Sequence, residues 1–269
     1  MEIMRREIRR RIAEHGLASM RVRFLDLPVD IASMDETLDR ACAAMRTRRP
    51  LQHVALNVAK LVHARTNPLL KQDLETADFV GIDGMGIVIG LRLAGIEGAE
   101  RVAGIDLMMQ LLARCAKEGF HPYFLGATPE VVQRAAEVAR ERFPGLRFAG
   151  IRDGYFDAAE EPEVVDAIRA SGADCLFVGM PTPRKERFLA QYRDALDVPF
   201  IMGVGGSFDV LAGKVHRAPS WMQRTGLEWA YRLLQEPGRM WRRYASTNLA
   251  YAWLLFGVLG RRIFRGPQA

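Results

Sequence analysis

The sequence predicts an α/β protein: a Rossmann-like parallel sheet with helices on both faces, followed by a helical, basic C-terminal appendage. Three observations carry this. Apolar runs of four to six residues alternate, from residue 51 to residue 211, with stretches of helical character, the pattern of successive βαβ units. Several of those runs end in glycine-rich turns, as strands do where a ligand approaches the sheet's carboxyl edge. From Lys214 onward no extended run recurs, and all four tryptophans (Trp221, Trp229, Trp241, Trp253) fall in that last segment.

Each element has its own signal. The basic N-terminal stretch, residues 1–21, reads as a helix rich in arginine, and Val22–Asp30 as a short extended segment or hairpin. Ser33 with Glu36 three residues later is a capping box, opening a helix over Thr37–Arg49. Leu51–Leu56 is a strand; Asn67 and Pro68, cap and first helical residue, open a helix toward Ala77. Phe79–Ile82 is the next strand, Asp106–Glu118 a helix, and Pro122–Leu125 a strand followed by a helix that Thr128 caps and that runs to Phe143. Leu146–Ile151, Cys175–Val178 and Pro199–Val204 continue the strands, with helices over Glu161–Ala170, Arg184–Leu196 and Ser207–Leu211 between and after them. Residues 1–213 thus form a Rossmann-like α/β domain and 214–269 an appendage.

Charge is distributed unevenly. Residues 214–269 hold ten Lys/Arg and two Asp/Glu, and residues 1–23 hold seven and three, so the net +6 conceals an acidic middle. Arginine mixed with tryptophan and tyrosine suits an anionic interface. Around Pro219–Gln235, Met222, Trp229, Ala230, Leu233 and Leu234 recur at helical spacing, with Arg224, Glu228 and Arg232 on another face. The apolar run Leu249–Gly260 is too short to span a bilayer and fits a buried or interfacial helix. Cys42, Cys115 and Cys175 lie far apart in apolar contexts and read as reduced core residues. No His/Cys spacing suggests a metal cage, and no cofactor is called for.

Candidate chemistry sits at strand ends. Asp83 closes an apolar strand inside Gly81-Ile82-Asp83-Gly84, which exposes its carboxylate in the cleft as a proton acceptor; the structural alternative is a helix cap. Asn57, ending its strand, suits a sugar hydroxyl or a cap. Arg101 and Asp106 flank Gly104 as an ion pair or as donor ligands. Gly126, Gly205 and Gly206 lie in turns where backbone N–H groups can meet a phosphate. Standard nucleotide fingerprints fail: Phe208 stands where a dinucleotide fold has its third glycine, and again where a P-loop begins. Asp-x-Asp is absent from the sequence, which argues against metal chelation through that motif and leaves arginines, lysine and backbone N–H groups to stabilise a departing diphosphate.

Read in order, Asn57-Val58-Ala59-Lys60-Leu61, Asp83-Gly84-Met85-Gly86, Arg101-Val102-Ala103-Gly104-Ile105-Asp106, Gly154-Tyr155-Phe156, Phe177-Val178-Gly179-Met180-Pro181, Gly203-Val204-Gly205-Gly206-Ser207-Phe208-Asp209, and Arg217-Ala218-Pro219 through Gly226-Leu227-Glu228-Trp229 to Glu236-Pro237 resemble the WecG/TagA/CpsF glycosyltransferases, glycosyltransferase family 26. The resemblance covers about Arg23 to Tyr244. It implies an inverting, metal-independent transfer from a UDP-sugar to a polyprenyl-diphosphate-linked sugar in cell-surface polysaccharide synthesis. Carried over by position, it makes Asp83 the base and Asn57 and Arg101 pocket residues around the donor. It also gives Arg232, Arg239 and Arg242 the role of meeting the acceptor or its diphosphate from a membrane-docked appendage. Two positions depart from the family pattern: Ala55 replaces a threonine, and Pro183-Arg184-Lys185-Glu186 replaces Pro-Lys-Gln-Glu, so that Lys185 meets the donor as a point charge instead of an amide. The expected setting is the cytoplasm, peripheral on the inner membrane face, without nucleic acid; a homo-oligomer is compatible with the sequence. The competing reading, another Rossmann-type nucleotide-sugar enzyme such as an epimerase or oxidoreductase, lacks both the dinucleotide fingerprint and a Tyr-x-x-x-Lys pair.

Overall fold

A computed structural model describes residues 20–235 and 237–265. The N-terminal helix expected over residues 1–21 lies outside the described residues except at its end, where Met20 and Arg21 already belong to a strand. That strand, β1 (Met20–Phe24), turns through Leu25 and Asp26, both at positive φ, into β2 (Leu27–Ile31) as an antiparallel hairpin. Then follow α1 (Met34–Thr47), β3 (Leu51–Leu56), α2 (Val58–Thr66), α3 (Pro68–Glu75), β4 (Phe79–Ile82), α4 (Met85–Leu93), α5 (Gly104–Glu118) and β5 (Pro122–Gly126). The chain continues through α6 (Pro129–Arg142), β6 (Gly150–Arg152), α7 (Glu161–Ala170), β7 (Cys175–Gly179), α8 (Arg184–Leu196), β8 (Phe200–Gly203) and α9 (Ser207–Leu211). Three helices close it: α10 (Ser220–Thr225), α11 (Glu228–Gln235) and α12 (Pro237–Arg265).

The helix starts obey local chemistry. Ser33 and Glu36 exchange both hydrogen bonds of a capping box, and Asn57, Asn67 and Thr128 each accept a backbone N–H at the head of α2, α3 and α6. The single amphipathic helix expected over Pro219–Gln235 is instead two. Gly226 sits at φ +78°, a left-handed cap that ends α10, so Arg224 and Glu228 do not share a helix face.

Six strands form one parallel sheet in the order β4-β3-β8-β7-β5-β6. Period-2 alternation sorts their side chains. From β5 and β7, Phe124 and Phe177 face the core under α1, α5 and α6, whereas Tyr123, Leu125, Leu176 and Val178 face α7 and α8. A third cluster joins Val54, Leu56, Val80 and Ile82 to the hairpin and to α2–α4. Cys42, Cys115 and Cys175 are buried and free, as their apolar contexts indicate.

The C-terminal helix α12 is pinned to this body. Tyr251 donates from its hydroxyl to the Gly86 carbonyl at 2.8 Å, and its ring end occupies the space that a side chain on Gly90 would need. Gly90 thus makes room for the tyrosine, whereas Gly86, one turn earlier on α4, makes room for Val58 of α2, on which an added Cβ would close to 2.5 Å. On the same helix Leu249, Trp253 and Phe256 are 72, 78 and 69% exposed. Spaced at i, i+4 and i+7, they form an apolar stripe. Among the described residues no helix is long and apolar enough to cross a membrane.

Candidate active site

The chain after β3 runs on to α2 and β4, while β8 lies on the far side of β3, so the direction of chain progression changes there. In an open α/β sheet the crevice at the carboxyl end of such a switch is where ligands bind. Asn57 ends β3, Asp83 ends β4 and Gly205-Gly206 follow β8.

Asp83 is held at two points. Its Oδ1 accepts the Gly104 N–H at 2.8 Å, the first residue of α5, and its carbonyl accepts Arg101 Nε at 2.9 Å. The alternative of a cap is thus realised in part, but on α5 and not on the helix that follows Asp83 directly; α4 begins at Gly84 with no side-chain cap. Among the described residues Oδ2 accepts no hydrogen bond. The Asn57 Oδ1 accepts the Lys60 N–H at 3.0 Å, so Asn57 caps α2 as the structural alternative foresaw.

Arg101 and Asp106 do not pair with each other. Arg101 reaches the Gln223 carbonyl at 3.3 Å and the Glu228 carboxylate. Asp106 is gripped by both terminal nitrogens of Arg217, the Nη2–Oδ2 contact being 2.6 Å. This pairing raises the Arg217 pKa despite partial burial. Both partners come from the segment after residue 213, which sequence reading treated as an appendage and which here borders the crevice. The sequence marks Arg217 only by its place in a motif and Glu228 only by a motif and a helix face; the four residues between Arg101 and Asp106 do not reveal that the two point to different partners.

Beneath the crevice lies a buried charge cluster. Lys185, the first-turn lysine of α8, lays its stem across Gly203, where an added Cβ would stand 2.5 Å from its Cε. Its ammonium is 3.3 Å from Glu186 Oε1 and 3.5 Å from the Met180 carbonyl. Lys60 Nζ meets the same Glu186 oxygen at 3.0 Å and the Ala55 carbonyl at 2.7 Å. Burial pushes the Glu186 carboxyl up, but Lys60 and Lys185 overcome it and hold it at about 2. Burial, with Lys60 beside it, draws Lys185 down to about 8, against the opposing pull of Glu186 and Asp83. Two lysines against one glutamate leave an excess cation facing Asp83. Below them His53, buried and without a hydrogen-bond partner, is held neutral at about 3 by burial and by Lys60.

At the rim, Gly205 takes φ +54°, and among the described residues neither its N–H nor that of Gly206 is given to a protein acceptor. The Arg232 guanidinium from α11 lies on Gly206, so close that a side chain there would displace it. Gly126, at φ +129°, abuts the Gly179 backbone: an added Cβ would lie 2.5 Å from its carbonyl carbon, a packing reason for glycine apart from any ligand. Further along the edge, Arg184 clamps the Gly154 and Phe156 carbonyls and fixes a loop from which Tyr155 projects, 75% exposed. Of the arginines expected over the acceptor, Arg232 lies against Gly206, and the side chains of Arg239 and Arg242 lie outside the described residues. Among the described residues no group of three or more His, Cys, Asp or Glu is arranged to hold a metal.

The family model described as Glycosyl transferase WecG/TagA/CpsF family matches residues 22–265, the sheet, the crevice and the C-terminal helices together. The chain belongs to this family. It is therefore a glycosyltransferase of glycan biosynthesis. It is similar to an N-acetylglucosaminyldiphosphoundecaprenol N-acetyl-beta-D-mannosaminyltransferase of Bacillus spizizenii, 40% identical over 183 residues, 68% of this chain and 70% of the relative. Within the WecG/TagA/CpsF match, the Arg217–Asp106 and Glu228–Arg101 pairs tie the sheet to the segment after residue 213.

Proposed function

We propose that this protein is an inverting, metal-independent transferase that moves a sugar from a UDP-sugar to a polyprenyl-diphosphate-linked sugar, working on the inner face of the membrane. The observation that carries this reading is Asp83: a carboxylate at a strand end, tethered through Oδ1 with Oδ2 free, in a crevice otherwise lined by cations and backbone N–H groups. Oδ2 takes the proton of the acceptor hydroxyl as that oxygen attacks the anomeric carbon from the side opposite UDP. The departing diphosphate is met by the Gly205 and Gly206 N–H groups and by Arg232, with Arg239 and Arg242 assigned to the acceptor diphosphate. Asn57, Arg101 and Lys185 border the donor, Gly126 lines the edge, and Asp106 acts by holding Arg217. The relative's activity on a diphosphoundecaprenol-linked sugar supports the acceptor class. The C-terminal helices, divided from the sheet domain at about residue 213, dock on anionic lipid.

The test is turnover of a panel of UDP-sugars with a polyprenyl-diphosphate-linked N-acetylhexosamine in anionic vesicles. Transfer should proceed, with inversion at the anomeric carbon, in the presence of EDTA. A strict requirement for added Mg²⁺ or Mn²⁺, or retention of configuration, contradicts the reading.

Lys185 makes this chain's pH dependence distinctive. A lysine at about 8 is charged below that pH and neutral above it. If its ammonium meets the donor, donor KM should rise by about tenfold as pH passes upward through 8, the weight of one charge-assisted hydrogen bond. Lys185→Gln, which cannot titrate, should flatten that limb; steady-state kinetics between pH 6.5 and 9.5 checks it.

A further inference from the structure

We propose that Glu228 is a positioning residue for Asp83, bridging Arg101, which holds the backbone of the base, and Arg217, which anchors the helix whose head holds its carboxylate. The inference rests on the reading of Asp83 as the base. One arm runs from Glu228 Oε2 to Arg101, whose Nε holds the Asp83 carbonyl at 2.9 Å and whose Nη1 meets the Gln223 carbonyl at 3.3 Å. The other arm starts at Glu228 Oε1, 3.9 Å from Arg217 Nε. Arg217 grips both oxygens of Asp106 in the first turn of α5, and the head of α5, the Gly104 N–H, holds Asp83 Oδ1 at 2.8 Å. Both handles on Asp83, the backbone carbonyl and the carboxylate, therefore trace back to one glutamate on a helix more than a hundred residues away in the chain.

The environment makes this bridge consequential. The side chains of Arg101, Arg217 and Glu228 are 16, 26 and 32% exposed, so the charges are partly withdrawn from water. Arg217 Nε is buried and has no hydrogen-bond partner, which leaves Glu228 as the carboxylate it faces. Taking the charge from Glu228 leaves Arg101 without its carboxylate partner and Arg217 with Asp106 alone, which unties the Arg101 side chain from the segment that anchors the N-terminus of α5. Asp83 then loses its fixed aim while the donor's contacts at Gly205, Gly206 and Arg232 stay intact. Misplacing a base by a fraction of an ångström slows the chemical step without weakening donor binding.

The test uses the full-length chain on its lipid-linked acceptor and a double-mutant cycle of Glu228→Gln, Arg101→Gln and both together, with Asp83→Asn in parallel. Glu228→Gln should lower kcat by about 10–50-fold, leave donor KM within about twofold and hold the melting temperature within a few degrees. Because Glu228 acts through Arg101 on one arm and Arg217 on the other, the double variant should lose clearly less than the product of the two single losses. Should Glu228→Gln fold poorly, Arg217→Lys, which keeps the charge and loses the paired grip on Asp106, should show the same loss of kcat at constant KM. Wild-type kcat in Glu228→Gln, additive losses in the cycle, or a loss confined to KM would each overturn the proposal. An inactive Asp83→Asn with an additive cycle overturns the bridge alone, whereas an active Asp83→Asn overturns the base itself.

Discussion

Asp83→Asn should lower turnover by about 10²–10⁴-fold while UDP-sugar binding stays close to that of the native protein. The geometry makes this substitution unusually informative. The Gly104 N–H demands an acceptor at 2.8 Å, so the asparagine amide must turn its oxygen toward α5. Its NH₂ group then occupies the place of Oδ2 and presents a donor where the acceptor hydroxyl needs a proton acceptor. The same hydrogen bond that fixes the base thus fixes the defect. The cap on α5 is retained, so stability should change little, and a loss of activity is assignable to chemistry. Isothermal binding of the UDP-sugar, thermal melting and single-turnover rates together check the assignment. An asparagine variant that turns over at near the native rate would remove Asp83 from the mechanism.

The second large effect concerns the stripe on α12. Leu249, Trp253 and Phe256 are largely exposed while Tyr251 on the same helix is buried against Gly86. The triple variant Leu249→Ser, Trp253→Ser, Phe256→Ser should fold as the native chain does, because none of the three contributes to the core. Each such side chain contributes about 1.5–3 kcal/mol when fully withdrawn from water, so losing all three should weaken partitioning into anionic vesicles by about 10³-fold or more. Surface arginines, each worth about 1 kcal/mol near anionic lipid, would sustain only residual, salt-sensitive binding. Activity on a long-chain lipid acceptor in vesicles should fall with binding, and activity on a short-chain, water-soluble acceptor should persist. Equal activity of the variant on both acceptors would show that the stripe serves some other contact.

The fold was legible where chemistry is local. The capping box at Ser33, the Asn67-Pro68 start and the apolar runs placed most strands to within a residue or two, since caps and period-2 burial depend on neighbours in sequence. Two helices went unread. Val58–Thr66 and Met85–Leu93 follow their strands with almost no loop, and in Met85–Leu93 two glycines lower helix propensity, Gly86 to admit Val58 and Gly90 to admit Tyr251, a residue over 160 positions away. The break at Gly226 was hidden because apolar spacing on both sides of it fits one helix. In the site, strand-end position pointed to Asp83 and Asn57, and family resemblance pointed to Arg101 and Arg232. The partners of Arg101 and Asp106 were not legible, because an ion pair between residues over a hundred apart leaves no local pattern.

The strand order has a consequence for how the chain comes to be folded. β3 and β4 form one half of the sheet and β5, β6 and β7 the other, and the two halves are joined only through β8, which pairs with β3 on one side and β7 on the other. Leu51 and Phe200, register partners across that seam, are separated by most of the domain's length. During synthesis the halves can each collapse on their own helices, but hydrogen bonding across the middle must wait for residues 200–203, a closure of high contact order and hence a slow one. The crevice straddles that seam. Until the late keystone strand arrives, a growing chain carries Asp83 at the end of β4 but neither β8 nor the Gly205-Gly206 turn that follows it, and the crevice between them does not yet exist.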